Sequence, residues 1–383
     1  LIDARLSSRR SDGIDLLRVL LALWVLLAHL VPWTDAAQGA GTAPVALAWL
    51  MQGLRVLFQP ASETHPAVLG FIVLSGYCIH RNGFRRDRGE TIDYAIRRAF
   101  RIYPVYLLAT AAGALLFLAA LSVAPDVTRA LSGTAALDAG CLAAKLVGLS
   151  AWLPSLHECA FQGNAPLATV MVEIWLYAVY PVLVVLVLRR APERVLWAIV
   201  FGFWAFGVGL VTVRPELRGW WHNGSLLGFL LYWWIGAKCT DPRFAAELWQ
   251  RRWWLAGAWA LLLVPLLFSA TQLAILVELR KVALALLFAL VVARWDALAI
   301  VPFRRAATVG KAGYGLYAFQ APLAYALLVL GAPWWLILAI VVALGIASFT
   351  WIEQPFLRLG RQLATRRAGA AEPDDALAAS PRS

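Results

Sequence analysis

Ten stretches of about twenty apolar residues, spread along the whole chain, leave this sequence few ways to fold. A helix needs about 20 predominantly apolar residues to cross the hydrocarbon core of a bilayer. Runs of that kind fall at 14–33, 64–82, 101–124, 167–188, 195–213, 220–238, 253–270, 274–293, 309–331 and 333–352. Two further stretches, 43–59 and 140–153, are shorter or interrupted by Arg55 and Lys145, and read as loop or interfacial helices. The tryptophan pairs 220–221, 233–234, 253–254 and 334–335 sit near run ends, where interfacial anchors belong. The prediction is an all-α, polytopic membrane bundle of about ten helices over residues 1–360. The segment 361–383, rich in Ala, Arg, Asp and Pro, reads as a disordered cytoplasmic tail. No internal repeat is evident.

Composition agrees with that reading and removes its rivals. The chain is 61% hydrophobic and 15% charged, where soluble domains carry about a quarter charged residues. A cytosolic globular enzyme and a disordered protein are excluded. Four cysteines are too few for a disulfide-built secreted scaffold. The net charge of +12 would point to nucleic acid in a soluble protein, but cytoplasmic loops of membrane proteins concentrate Lys and Arg without it. With both termini placed in the cytoplasm, 26 of the 34 Lys and Arg fall on the inner side, five on the outer side and three within the runs. That asymmetry predicts the orientation. The first run is long for a signal-peptide core and contains Arg18 and His29, which opposes cleavage.

Ionisable side chains inside lipid cost about 2.5–3.5 kcal/mol each on insertion scales, so each is a functional candidate. Arg18 and His29 share the first run. Eleven helical residues turn through about 1,100°, roughly 20° past three full turns, and rise about 16 Å, so the two share one face. Arg98 and Arg101 are i,i+3 neighbours at the start of the third run, close to where Arg18 emerges. Three guanidinium groups converging on an inner mouth suit a phosphate-bearing anion, which they hold bidentately. Arg97 reads as ordinary inside charge.

Glu173 lies in the fourth run, with Tyr177 one turn on and Tyr180–Pro181 following. Counted from the outer face, His29 and Glu173 come out at similar depth, the condition for contact between them. Ser75–Gly76 interrupts the second run and reads either as a packing notch or as a substrate contact. Glu278, Arg280 and Lys281 in the eighth run read as pairing among themselves. Cys141 and Cys159 share an outer segment and suit a disulfide in an oxidising compartment, and no His/Cys spacing suggests a metal site. His65, His157 and His222 fall outside or at the outer edge and carry no signal alone.

In order and spacing these residues resemble the acyltransferase-3 family of integral membrane transacylases, collinearly over residues 11–358. The family's Arg–ten residues–His element matches Arg18 and His29. Its phenylalanine-rich stretch ending in Leu-Ser-Gly matches FIVLSGY at 71–77, and its Arg-x-x-Arg-Ile-x-Pro element matches Arg98, Arg101, Ile102 and Pro104. Glu173, Tyr177 and Pro181 match more weakly. The late Tyr-rich element appears as Gly313, Tyr314, Tyr317 and Gln320, and a Glu-x-Pro as Glu353 and Pro355. Three positions depart from the pattern. Leu69 stands where the family often has an acidic residue, Ala168–Thr169–Val170 stand where it often has Trp-Ser-Leu, and Gln320 stands where many members have His.

The resemblance implies acyl transfer, acetyl by default, from acyl-CoA as donor substrate to a hydroxyl of a cell-surface or lipid-linked carbohydrate at a bacterial inner membrane, with no permanent cofactor and no metal. On that reading His29 and Glu173 are catalytic, and Arg18, Arg98, Arg101, Ser75, Gly76 and Tyr314 contact the donor. The competing readings are a transporter or flippase of a glycan, lipid or small solute, and a polysaccharide-export scaffold without chemistry. The first lacks an inverted repeat, and the second leaves His29 unexplained.

Overall fold

The computed structural model describes residues 2–59, 64–81, 88–133, 136–157, 163–188, 190–251, 253–267, 273–297 and 310–378. All regular structure among them is helical. In chain order the helices are α1 (Ile2–Gln38), α2 (Val45–Phe58), α3 (Pro66–Arg81), α4 (Arg88–Val123), α5 (Pro125–Ser132), α6 (Ala139–Leu146), α7 (Leu167–Val182), α8 (Glu193–Val213), α9 (Arg218–Asn223) and α10 (Leu226–Lys238). They continue with α11 (Pro242–Gln250), α12 (Trp253–Leu267), α13 (Ala274–Ala297), α14 (Gly313–Val329), α15 (Trp334–Ser348) and α16 (Gln354–Ala378). Single π-helical stretches extend α7 over Leu183–Leu188 and join α15 to α16 over Phe349–Glu353.

Among the described residues, four segments are long and apolar enough to span a bilayer: Gly13–Gln38, Glu90–Val123, Glu193–Val213 and Trp334–Arg367. Shorter apolar helices, among them α3, α7 and α10, pack within the bundle. Each predicted run falls on a helix. The exception in detail is 220–238, which breaks at Gly224 into α9 and α10. There Ser225 restarts the helix by accepting the Gly228 N–H at 3.3 Å. The outward surface is apolar, with Leu115, Val213 and Trp351 all exposed, as lipid contact requires. α2 buries none of its side chains and exposes Val45, Trp49 and Leu50, matching an interfacial helix.

The interior is built where small residues let backbones meet. A Cβ on Gly76 would lie 1.9 Å from the Trp233 carbonyl oxygen, and one on Gly236 would lie 1.9 Å from that of Val73. α3 and α10 therefore touch along a reciprocal glycine notch, the close packing that stands in for the hydrophobic effect inside lipid. Around that pair, α1 and α13 pack on α3, and α14 packs on α1, α4 and α15. Glu353 accepts the Gly315 backbone N–H at 3.0 Å, so a carboxylate sits at the positive end of α14.

Residues 354–378 form one helix, since alanine and arginine are strong helix formers. Arg367 fastens it to Asp93 of α4 at 3.2 Å. Cys141 is disulfide-bonded, and Cys78 and Cys239 are not in disulfides; Cys159 lies outside the described residues.

Candidate active site

Five helices line a cleft. α1 supplies Arg18, α4 supplies Arg98, Arg101 and Ile102, α7 supplies Thr169, Glu173 and Tyr177, and α14 supplies Tyr314 and Tyr317. From α3 come Val68, Phe71, Ile72, Ser75 and Cys78, a stripe at the spacing of one helical face. The cationic side chains gather at one end, and apolar and hydroxyl-bearing ones line the rest.

Each guanidinium is held differently. Arg18 pairs with Asp15 one turn before it and donates to the Cys78 Sγ at 3.1 Å. Arg98 is sandwiched between the rings of Tyr94 at 5.5 Å and Tyr177 at 5.4 Å, cation–π contacts that fix the planar group without neutralising it. Neither Arg98 nor Arg101 forms an ion pair with a described carboxylate, whereas Asp15 offsets only Arg18. Glu173 lines the same cleft and Glu353 interacts electrostatically with Arg101 and Arg18, so the guanidinium groups face carboxylates as well as the cavity. Arg97 is exposed and does not line the cleft.

Tyr177 is the hub of the polar wall. Its hydroxyl donates to Glu173 and accepts from Ser75 Oγ at 3.1 Å, while Trp233 Nε1 donates to the same Ser75 Oγ at 3.3 Å. Tyr94 donates to the Tyr177 carbonyl at 3.2 Å. Tyr314 lines the cleft while donating to the Ile102 carbonyl at 3.0 Å, and Tyr317 donates to the Pro166 carbonyl at 2.9 Å. These bonds occupy most of the hydroxyls and hold the wall in one geometry. Gly76 faces α10 rather than the cleft, so of the two earlier readings of Ser75–Gly76, Ser75 meets the cavity and Gly76 is the packing notch.

His29 and Glu173 are not brought together. The His29 ring stacks on Trp33 at 4.9 Å and lies 6.1 Å from the His65 ring, and its Nδ1 is buried with no hydrogen-bond partner among the described residues. His65, immediately ahead of α3, marks the level of His29, and Ser75 on α3 marks that of Tyr177. Glu173, one turn before Tyr177, is therefore level with Phe71, about 9 Å further inward than His29. No hydrogen bond or ring contact joins His29 to Glu173 among the described residues. Asn164, just ahead of α7, is fully buried and donates to the carbonyls of Ala109 at 3.3 Å and Ala318 at 2.9 Å. Glu173 instead belongs to the cationic end.

Two residues dismissed from the sequence have defined places. His65 sits beside His29, three residues before the Val68 that lines the cleft. The readable signal for that placement was its spacing, three residues ahead of the 68–71–75–78 stripe. His222 joins a separate buried cluster, with its Nδ1 3.0 Å from Glu278. Glu278 also takes bonds from Trp204 and Trp221 at 3.1 Å, from Lys281 at 3.3 Å and from Tyr232. Arg280 turns away, toward the Leu262 carbonyl at 3.5 Å. No group of three His, Cys, Asp or Glu that would hold a metal occurs among the described residues.

The sequence matches a family profile described as an acyltransferase domain over residues 11–352. No curated protein and no solved structure shows significant similarity to it. The match takes in Arg18, His29, Arg98, Arg101, Glu173 and the whole cleft, and with the apolar helices it identifies the chain as an integral multi-pass membrane protein of the acyltransferase-3 family.

Proposed function

We propose that the protein is a ten-span inner-membrane O-acyltransferase with both termini in the cytoplasm. It moves an acyl group, acetyl by default, from cytosolic acyl-CoA to a hydroxyl of a cell-surface or lipid-linked carbohydrate. The observation that carries this reading is the cleft, cationic at the end where Arg18, Arg98 and Arg101 converge and otherwise apolar, running along α3 toward His29. CoA is polyanionic at its nucleotide end and thin along its pantetheine arm. Its phosphates suit the three guanidinium groups, and its arm suits the stripe from Cys78 through Ser75 and Phe71 to Val68. Arg18 and His29 are separated by about 16 Å along α1, a span comparable to that arm.

The thioester then arrives near His29. A neutral His29 takes the proton of the acceptor hydroxyl as its oxygen bonds to the thioester carbonyl carbon. Collapse of the tetrahedral species breaks the carbon–sulfur bond. The CoA thiolate leaves with the proton returned by the His29 imidazolium, so an ester and a thiol replace a thioester and an alcohol. Glu173 acts through Tyr177, holding its ring beneath Arg98, rather than through His29.

Purified protein in detergent, given acetyl-CoA and a glycan acceptor, is expected to release free thiol. His29→Ala is expected to slow that release by about 10²–10⁴-fold, the range for loss of a general base. Equal rates from the two, with wild-type protein moving a solute across vesicles, would establish the transporter reading instead.

A further inference from the structure

His65 is fixed from both sides. Its carbonyl accepts the Val68 N–H at 3.1 Å and the Leu69 N–H at 3.3 Å, which makes it the residue capping the start of α3. Its side chain completes the cap: Nδ1 accepts the Ala67 backbone N–H at 3.2 Å, the role more often filled by Asn, Asp or Ser. Pro66, lacking an N–H, occupies the first helical position where none is needed. Thr64 Oγ1 donates to the His222 carbonyl at 2.8 Å, pinning the chain just ahead. The ring also lies edge-on to Trp24 at 5.8 Å.

This cap decides where the proton sits. A neutral imidazole has one donor and one acceptor nitrogen. With Nδ1 accepting from Ala67, the proton of a neutral His65 is on Nε2, so its free edge offers a donor. The facing ring is His29, at 6.1 Å between centroids with a tilt of 41°. Rings this close can both reach a single reacting carbonyl group. His65 immediately precedes α3, three residues ahead of Val68, which lines the cleft.

We infer that His65 is a second catalytic imidazole: its Nε2–H donates a hydrogen bond to the thioester carbonyl oxygen as that oxygen takes up negative charge, while His29 removes the hydroxyl proton. The inference rests on the acyl-transfer reading above. The acceptor oxygen bonds to the carbonyl carbon, the carbonyl π pair moves onto oxygen, and His65 steadies that charge without giving up its proton. When the pair returns, the CoA thiolate leaves and takes the proton held by His29. A neutral donor aimed at developing charge in a site from which water is excluded gives stabilisation the ground-state carbonyl does not receive.

The test compares wild type, His65→Ser and His29→Ala, each full-length in detergent, by thiol release from acetyl-CoA with methyl glucoside as the hydroxyl probe. Serine caps a helix start as well as histidine does but cannot reach the carbonyl oxygen. The expected result is a kcat lowered by about 10²–10³-fold, the range for loss of one such donor, with KM for acetyl-CoA and unfolding temperature unchanged. A serine variant with wild-type kcat overturns the inference and leaves His65 a cap, while an inactive His29→Ala in the same experiment leaves the acyl-transfer reading standing. Wild-type protein that releases no thiol overturns both. If the serine variant does not fold, His65→Thr replaces it, since its hydroxyl also caps a helix start and carries no N–H. A kcat lowered by about 10²–10³-fold then supports the inference, and a wild-type kcat overturns it.

Discussion

Removing the Arg98 guanidinium should weaken donor binding far more than it disturbs the fold. The side chain is held by two aromatic faces, at 5.5 Å and 5.4 Å, and each cation–π contact contributes about 0.5–1 kcal/mol. Arg98→Ala should therefore lower stability by about 1–2 kcal/mol. No carboxylate is left unpaired by the change, so no further penalty attaches. Toward a phosphate the same group makes charge-assisted hydrogen bonds of about 1.5–3 kcal/mol, which corresponds to a rise in Kd for CoA of roughly 10–150-fold. Cys78 provides the assay. It lines the cleft half-buried beside Arg18, whereas Cys239 is buried and Cys141 is disulfide-bonded. The rate of maleimide labelling at Cys78 should fall as CoA is added, with the half-protecting concentration giving Kd. In Arg98→Ala that concentration should rise by the stated factor, and Arg98→Lys should fall between, since lysine keeps the charge but loses the fork and the stacking. Protection at the wild-type concentration in Arg98→Ala would refute the reasoning and leave the arginine as a topological charge.

Other residues separate packing from chemistry in the same way. Gly76→Ala places a methyl 1.9 Å from the Trp233 carbonyl oxygen, so α3 and α10 must part. We expect a loss of about 1–3 kcal/mol, read as a lowered unfolding temperature, whereas Gly257→Ala, with open space around it, should leave that temperature unchanged. His29→Ala should abolish turnover while leaving CoA protection of Cys78 at its wild-type concentration, because the ring stacks on Trp33 outside the lining of the cleft. Glu278→Gln removes the charge facing Lys281 and replaces with an NH2 one of the two oxygens shared by His222, Lys281, Trp204, Trp221 and Tyr232. It should destabilise the protein by about 3–5 kcal/mol, the range for breaking a buried ion pair, by thermal unfolding in detergent, with donor affinity preserved in the fraction that folds.

Length of apolar run is what made the bundle legible in the sequence, because each helix in lipid must satisfy its own backbone and cannot be short of apolar residues. The same logic exposed Arg18, Arg98 and Arg101, since charge in such runs is too expensive to be incidental, and the structure gathers all three on one cleft. Depth was less legible. Glu173 was placed level with His29 by counting from Leu167, but no hydrogen bond or ring contact joins the two among the described residues. His65 was passed over because it falls at a run end, and its meaning depends on which helix packs against α1. Ser75 and Gly76 are adjacent in sequence yet serve opposite faces of α3, a division that one-residue spacing on a helix fixes only once the neighbour of each face is known. The break at Gly224 is a local capping event inside a run that hydropathy alone reads as continuous.

Sidedness is the most direct trial of the proposed chemistry. Vesicles bearing the protein would receive labelled acetyl-CoA on the face carrying Arg98 and Arg101, with a carbohydrate acceptor enclosed on the other. The acyl-transfer account predicts label esterified to the enclosed carbohydrate in wild type and absent from it in His29→Ala. Label remaining wholly in CoA in wild type, or reaching the carbohydrate equally without His29, would contradict it.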